Sequence, residues 1–247
     1  MRMRSSNPAL SGNVFQNFET YGDTTSMTVT GTAMKTIIAI LLAMMTAGWT
    51  FMQKERVDIM PYMWGGMIVG LIAFFATTFK PNWAAMTTPV YALAEGFFLG
   101  AISAFIQARF PTKPIVLQAC GLTFGVLFVM LVAYSTGVIK VTEKLRMAIV
   151  ACTGAVCLLY LVTFVLSFFN IQVPYIHGSG LIGIGFSLFV VGLAAFNLLL
   201  DFDLIDRMVA QRSPKAMEWY GAFALMVTLV WLYIEILRLL SKLQSRD

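Results

Sequence analysis

Seven long apolar runs constrain this chain more than any other feature of its sequence. They are Thr36–Met52, Pro61–Phe79, Ala85–Ile106, Ile115–Val138, Leu145–Phe169, Gly178–Leu200 and Met217–Leu240. A helix that crosses roughly 30 Å of hydrocarbon at 1.5 Å per residue needs roughly 20 mostly apolar residues, and each run approaches or exceeds that length. Backbone amides in lipid must be satisfied within their own segment, so helices are the assignment the runs allow. None shows the alternation of apolar and polar residues that marks a membrane barrel. Short connections carrying Pro81, Pro111, Pro114 and Pro174, or a charge cluster, separate the runs.

Charge supports the same class. Hydrophobic residues make up 59% of the chain and charged residues 12%, about half the share of a soluble domain. The net charge of +5 comes from Lys and Arg lying mostly between the apolar runs, not in a stripe that could follow phosphates. Nucleic acid is therefore not an expected partner. Cys120, Cys152 and Cys157 all fall in apolar runs without metal-ligand spacing, and read as small buried hydrophobes.

The expected organisation is a polar tail over residues 1–33 followed by a seven-helix membrane domain over 34–247. The tail is rich in Ser, Thr, Asn and Gly, with Phe15, Phe18 and Tyr21 scattered through it. It lacks the short apolar core and cleavage site of a signal peptide, so it is expected to persist in the mature chain. Between spans, one side holds Lys80, Lys140, Lys144, Arg146, Arg207, Arg212 and Lys215, and the other Lys54, Arg56, Arg109 and Lys113. The excess predicts a cytoplasmic N-terminus. A full seventh crossing then puts Arg238, Lys242 and Arg246 outside, a conflict that a partly inserted last helix removes. Glycine pairs at i and i+4 (Gly66 and Gly70, Gly96 and Gly100, Gly121 and Gly125) predict close helix crossings. Gly183, Gly185 and Ser187 predict either a further crossing or a kink.

The acids that interrupt the runs are the candidate functional residues. Glu95 lies midway along the third run, Asp201 ends the sixth, and Glu235 lies well inside the seventh. An ionised carboxylate at the bilayer centre costs at least about 2.5 kcal/mol, so each requires a cation, water or a proton. Glu235 has a structural explanation in Arg238, three residues on and on the same helix face. Asp201 has one in the end of its span, since Asp203, Asp206 and Arg207 follow. Asn197, one turn before Asp201, is a candidate hydrogen-bond donor to it. Two carboxylates facing each other across helices six and seven share a proton, and a proton held near neutral pH is a switch.

Four segments resemble the Bax inhibitor family, also called transmembrane Bax inhibitor motif proteins, and especially its bacterial members. Leu199-Leu200-Asp201-Phe202-Asp203-Leu204-Ile205 is similar to the end of the family's sixth helix. Leu232-Tyr233-Ile234-Glu235-Ile236-Leu237-Arg238-Leu239-Leu240 resembles its seventh-helix pattern, with Glu235 where Asp is usual. Tyr91-Ala92-Leu93-Ala94-Glu95-Gly96-Phe97-Phe98-Leu99-Gly100 looks like its third helix, and Ser5-Ser6-Asn7-Pro8-Ala9-Leu10 like a bacterial subgroup with extended N-termini. The resemblance implies an all-α membrane fold of seven helices, the last surrounded by the other six. It also implies a pH-sensitive calcium leak gated by Asp201 and Glu235, which would coordinate passing calcium weakly, with Glu95, Asn197 and Arg238 supporting the path. The connection from Asp206 to Trp219 reads as longer than in compact members, and the second run carries no acid.

The remaining expectations are a bacterial inner membrane, since no long basic C-terminal tail or retention signal is seen, and no cofactor. Membrane lipid, calcium and protons are the expected partners. An intramembrane aspartyl protease would resemble a GxGD motif, but Leu199 and Leu200 precede Asp201, so enzymatic activity is not expected. A regulatory protein that binds another membrane protein is the main alternative. A proton-coupled transporter lacks the inverted repeat it would need. His177, a single loop histidine, reads as incidental.

Overall fold

The computed structural model describes residues 26–53, 57–169 and 180–245. Seven helices long and apolar enough to span a membrane account for nearly all of them: α1 (Val29–Gln53), α2 (Met60–Phe79), α3 (Ala84–Arg109), α4 (Ile115–Ser135), α5 (Glu143–Phe168), α6 (Leu181–Ala210) and α7 (Met217–Gln244). A 3-10 turn over Pro81–Trp83 leads into α3. The helix starts follow from local chemistry. Asp58 Oδ1 accepts the Met60 N–H ahead of α2 at 3.0 Å, and Pro61 occupies a position in its first turn where no N–H is needed. The Thr142 hydroxyl caps α5 by accepting the Leu145 N–H at 3.2 Å.

The last helix is the axis of the bundle. Sixty-one percent of the apolar window of α7 is buried, against 17–44% for the other six. It packs against α6, α1, α3 and α4, touches α2 where Phe223 meets Phe74 at 5.7 Å, and touches α5 through Tyr160. Outward faces are apolar, as lipid contact requires: Leu41, Ile72, Phe128 and Leu158 are all exposed. α5 is the most peripheral helix and packs chiefly on α6. Its outward face carries Cys152 and Cys157, which are exposed, contrary to the buried role read from sequence; Cys120 is half-buried. Thiols resemble small apolar groups enough to face lipid as readily as protein.

Two of the three glycine pairs set helix crossings. A Cβ on Gly96 would lie 1.9 Å from Thr46 Oγ1, and one on Gly100 would lie 2.4 Å from the Ala47 carbonyl, so α1 and α3 meet backbone to backbone. Gly66 is equally constrained by the Ala94 carbonyl, at 2.5 Å, where α2 meets α3. The third pair behaves differently: nothing lies within 4 Å of a Cβ at Gly121 or Gly125, so this motif joins no helices among the described residues.

Three expected boundaries move. α1 starts at Val29, inside the expected tail, whose residues 1–25 lie outside the described residues along with Phe15, Phe18 and Tyr21. α6 does not end near Asp201 but continues to Ala210, so the connection to α7 shortens to residues 211–216. Asp206 and Arg207 thus belong to α6, and Glu218 and Trp219 to α7. The 28 residues of α7 span about 42 Å at helical rise, enough for a full crossing. His177 lies outside the described residues.

Candidate functional site

Glu235 is 1% exposed, about two-thirds of the way along the most buried helix. Its carboxylate closes a triangle with two other groups. Arg238 Nη1 donates to Oε1 at 3.0 Å and Oε2 at 3.3 Å, and also to the Tyr160 hydroxyl at 2.8 Å; that hydroxyl in turn donates to Oε1 at 3.0 Å. The guanidinium also lies over the Tyr160 ring, 5.0 Å from its centroid. The i, i+3 spacing puts acid and base on one face of α7. Tyr160, from α5, fixes the rotamers of both, and the assembly is neutral overall. Arg238 is 36% exposed and forms its rim.

Asp201 lies on the facing helix in a different environment. It is half-buried against the Thr228 hydroxyl of α7, and among the described residues its buried Oδ2 has no hydrogen-bond partner. No hydrogen bond joins Asp201 to Glu235 among those residues. Register is the reason: Glu235 follows Thr228 by seven residues, about 10 Å along the helix axis. The two carboxylates stand at successive levels of one helix interface and do not share a proton in this arrangement.

The supporting residues divide similarly. Asn197 Nδ2 donates to Thr153 Oγ1 on α5 and to its own helix's Leu193 carbonyl, each at 2.9 Å, rather than to Asp201. Glu95 belongs to the α2–α3 interface, beside Tyr91, with its Oε1 3.0 Å from where a Gly70 Cβ would sit. It is separate from the α6–α7 carboxylates. Beyond Asp201, Asp203 pairs with Arg146 of α5 and, at 2.9 Å, with Arg207; Tyr134 of α4 donates to Asp206 at 2.7 Å. These acids hold three helices together at one end of the bundle. Among the described residues no three His, Cys, Asp or Glu side chains converge in a metal-holding group.

Sequence reasoning missed two residues here. Tyr160 gave a signal, since a tyrosine amid lipid-facing residues needs a partner for its hydroxyl. Glu218 falls both in the seventh run and in the connection from Asp206 to Trp219, where an acid invites a solvent-exposed reading, but is 2% exposed. It accepts the Thr28 N–H at 3.0 Å, the Thr28 hydroxyl at 3.1 Å, and Lys35 Nζ. Thr28 caps α1, its Oγ1 accepting the Gly31 N–H at 2.9 Å. In a capping box the third helical residue supplies a carboxylate to the cap's N–H. Here that residue is Gly31, and Glu218 of α7 fills its place; a Gly31 Cβ would lie 2.2 Å from Glu218 Oε1. Just before the cap, Met27 N–H donates to the Ser213 carbonyl at 2.8 Å, and Ser26 bridges Pro214.

Comparison with known proteins bears on the whole chain. The family model described as Bax inhibitor 1 like matches residues 7–245. No curated protein and no solved structure matches.

Proposed function

Because the chain belongs to the Bax inhibitor 1 like family, we propose that it is a calcium leak whose opening follows the deprotonation of carboxylates on α6 and α7. The observation that carries the reading is the buried, unpartnered Oδ2 of Asp201 at the α6–α7 interface. A buried carboxylate oxygen without a donor is stabilised by carrying a proton or by meeting a cation. Glu235 is already compensated by Arg238 and Tyr160. The described arrangement then corresponds to a closed form in which Arg238, not a shared proton, neutralises Glu235.

Opening requires α7 to shift against α6 and release Glu235 from Arg238, whose exposed side chain can turn toward headgroups. Asp201 and Glu235 then offer oxygen ligands at two levels, weak enough to let calcium pass. Protonation removes a ligand from this path, so leakage falls as pH falls. We place the protein in a bacterial inner membrane, N-terminus in the cytoplasm, because Lys80, Lys140, Lys144, Arg146, Arg207, Arg212 and Lys215 share the end of the bundle at which α1 begins. It works without a cofactor and is not an enzyme.

The test uses purified full-length protein in calcium-free liposomes loaded with a calcium-sensitive dye. Calcium entry should rise between about pH 5 and about pH 8, the range over which coupled carboxylates titrate. Asp201→Asn and Glu235→Gln should each flatten the profile, and their effects should not add. Entry no greater than into empty liposomes at every pH sinks the leak reading. Pull-down from native membrane would then test the alternative, a regulator that binds a membrane partner.

A further inference from the structure

A second feature of the bundle is independent of its carboxylates. Between α1 and α4, which flank its mouth, a cavity of about 300 Å³ opens toward the bilayer. Met44, Ala47 and Gly48 form one side of the mouth, and Cys120 and Phe124 the other. Its back wall is Leu99 and Ser103 of α3 with Met226, Val230 and Tyr233 of α7. These positions fall in the second half of α1 and the first half of α4, so the cavity lies in the leaflet toward which α1 ends.

The polar inventory of the wall identifies the ligand. Three hydroxyls line the cavity, and each is already paired. Tyr233 and Ser103 bond to each other at 2.7 Å, Ser103 donates onward to the Leu99 carbonyl at 2.6 Å, and Thr123 donates to the Ala119 carbonyl at 2.8 Å. The rest of the wall is apolar apart from the Cys120 thiol, a weak donor. An ion, a headgroup or a water chain would meet no free hydroxyl donor there and only a few hydroxyl lone pairs, whereas hydrocarbon leaves every hydrogen bond intact. The opening faces acyl chains at hydrocarbon depth, and Gly48 leaves the mouth unblocked, with nothing within 4 Å of a Cβ built on it.

We propose that this cavity is a binding site for one acyl chain of a membrane phospholipid. The bound chain lies against α7 on the face that carries Met226, Val230 and Tyr233. Glu235 follows Tyr233 by two positions, about 200° around the helix, so the chain buttresses α7 from the side away from Arg238.

The test is photo-crosslinking in vesicles of phosphatidylethanolamine and phosphatidylglycerol doped with a phospholipid that carries a diazirine midway along one acyl chain. Met226 and Tyr233 are 3% and 9% exposed, so bulk lipid does not reach them. Irradiation followed by peptide mass spectrometry should place adducts on the Met226–Tyr233 stretch of α7 as well as on lipid-facing α5. Gly48→Trp, a substitution into open space, should lower the α7 adducts several-fold and leave those on α5 unchanged. Gly48→Leu, a second plug of smaller size, should lower them less. Adducts confined to lipid-facing residues, α7 adducts that both substitutions leave unchanged, or labelling by a diazirine fatty acid but not by the phospholipid would each overturn the assignment. A loss of adducts on every helix, with the protein still monodisperse, would overturn it too, since a plug acts locally.

Discussion

Two glutamates on α7 are almost equally buried, Glu218 at 2% and Glu235 at 1% exposure, yet they sit in unlike sites. Glu218 stands at the start of the helix and is matched from outside it. A backbone N–H, a hydroxyl and an ammonium all converge on it from the beginning of α1. Glu235 stands deeper and is matched largely from its own helix, by an Arg238 that is 36% exposed. Among the described residues, only the Tyr160 hydroxyl bonds to it from another helix. Burial alone therefore does not mark a switch. What separates the two is whether the compensating charge can leave without unfolding anything.

That difference predicts a graded set of stability effects, readable as unfolding midpoints in a mixed-micelle denaturant titration. Glu218→Ala is expected to be the most damaging, lowering stability by about 3 kcal/mol, because it strands Lys35 and removes the acceptor of the Thr28 N–H at once. If it proves no worse than Glu235→Gln, the two sites are not different in kind. Gly31→Ala should follow at about 2 kcal/mol, the scale of overpacking, since the new methyl group occupies the place of Glu218 Oε1. Tyr160→Phe removes a hydroxyl shared by acid and base, and should cost about 1 kcal/mol while leaving the helices in place. Arg238→Lys, which keeps the charge but loses the planar fork over Tyr160, should change stability by about 0.5 kcal/mol. In the liposome assay the order should reverse: Arg238→Lys and Tyr160→Phe should alter the pH profile of calcium entry, while Glu218→Gln, if it folds, should leave the profile's shape unchanged.

Membrane spans are legible in a sequence because hydrocarbon penalises every exposed polar group, and that penalty is local to each segment. All seven helices were readable on this ground, and the central position of the last followed from resemblance to a family. The boundaries that moved depend on distant partners. The first turns of α1 contain Thr30, Gly31, Thr32 and Lys35, a polar stretch whose helical form is capped and charge-matched by Glu218. The end of α6 carries Asp203 and Arg207, which stay helical while bonded to Arg146 and Glu143 of α5. Glycine spacing foretold close approach but not which face would meet a neighbour, so Gly121 and Gly125 face outward while Gly96 and Gly100 do not. The acids themselves were legible as anomalies. Their separation was not, because it depends on how α6 and α7 are offset, and no single helix records that.

The join between Thr28 and Glu218 also constrains the order in which the protein can be made. The first of the seven helices to be made carries a lysine and a cap N–H whose carboxylate lies 190 residues downstream, on the seventh. Until α7 arrives, the start of α1 has its own Thr28 cap but not the carboxylate that bonds the Thr28 N–H and Lys35. Closing the clasp thus reports that synthesis and insertion have reached α7. A chain that stops before Glu218 leaves Lys35 without that carboxylate and presents the membrane's quality-control machinery with an unfinished first helix.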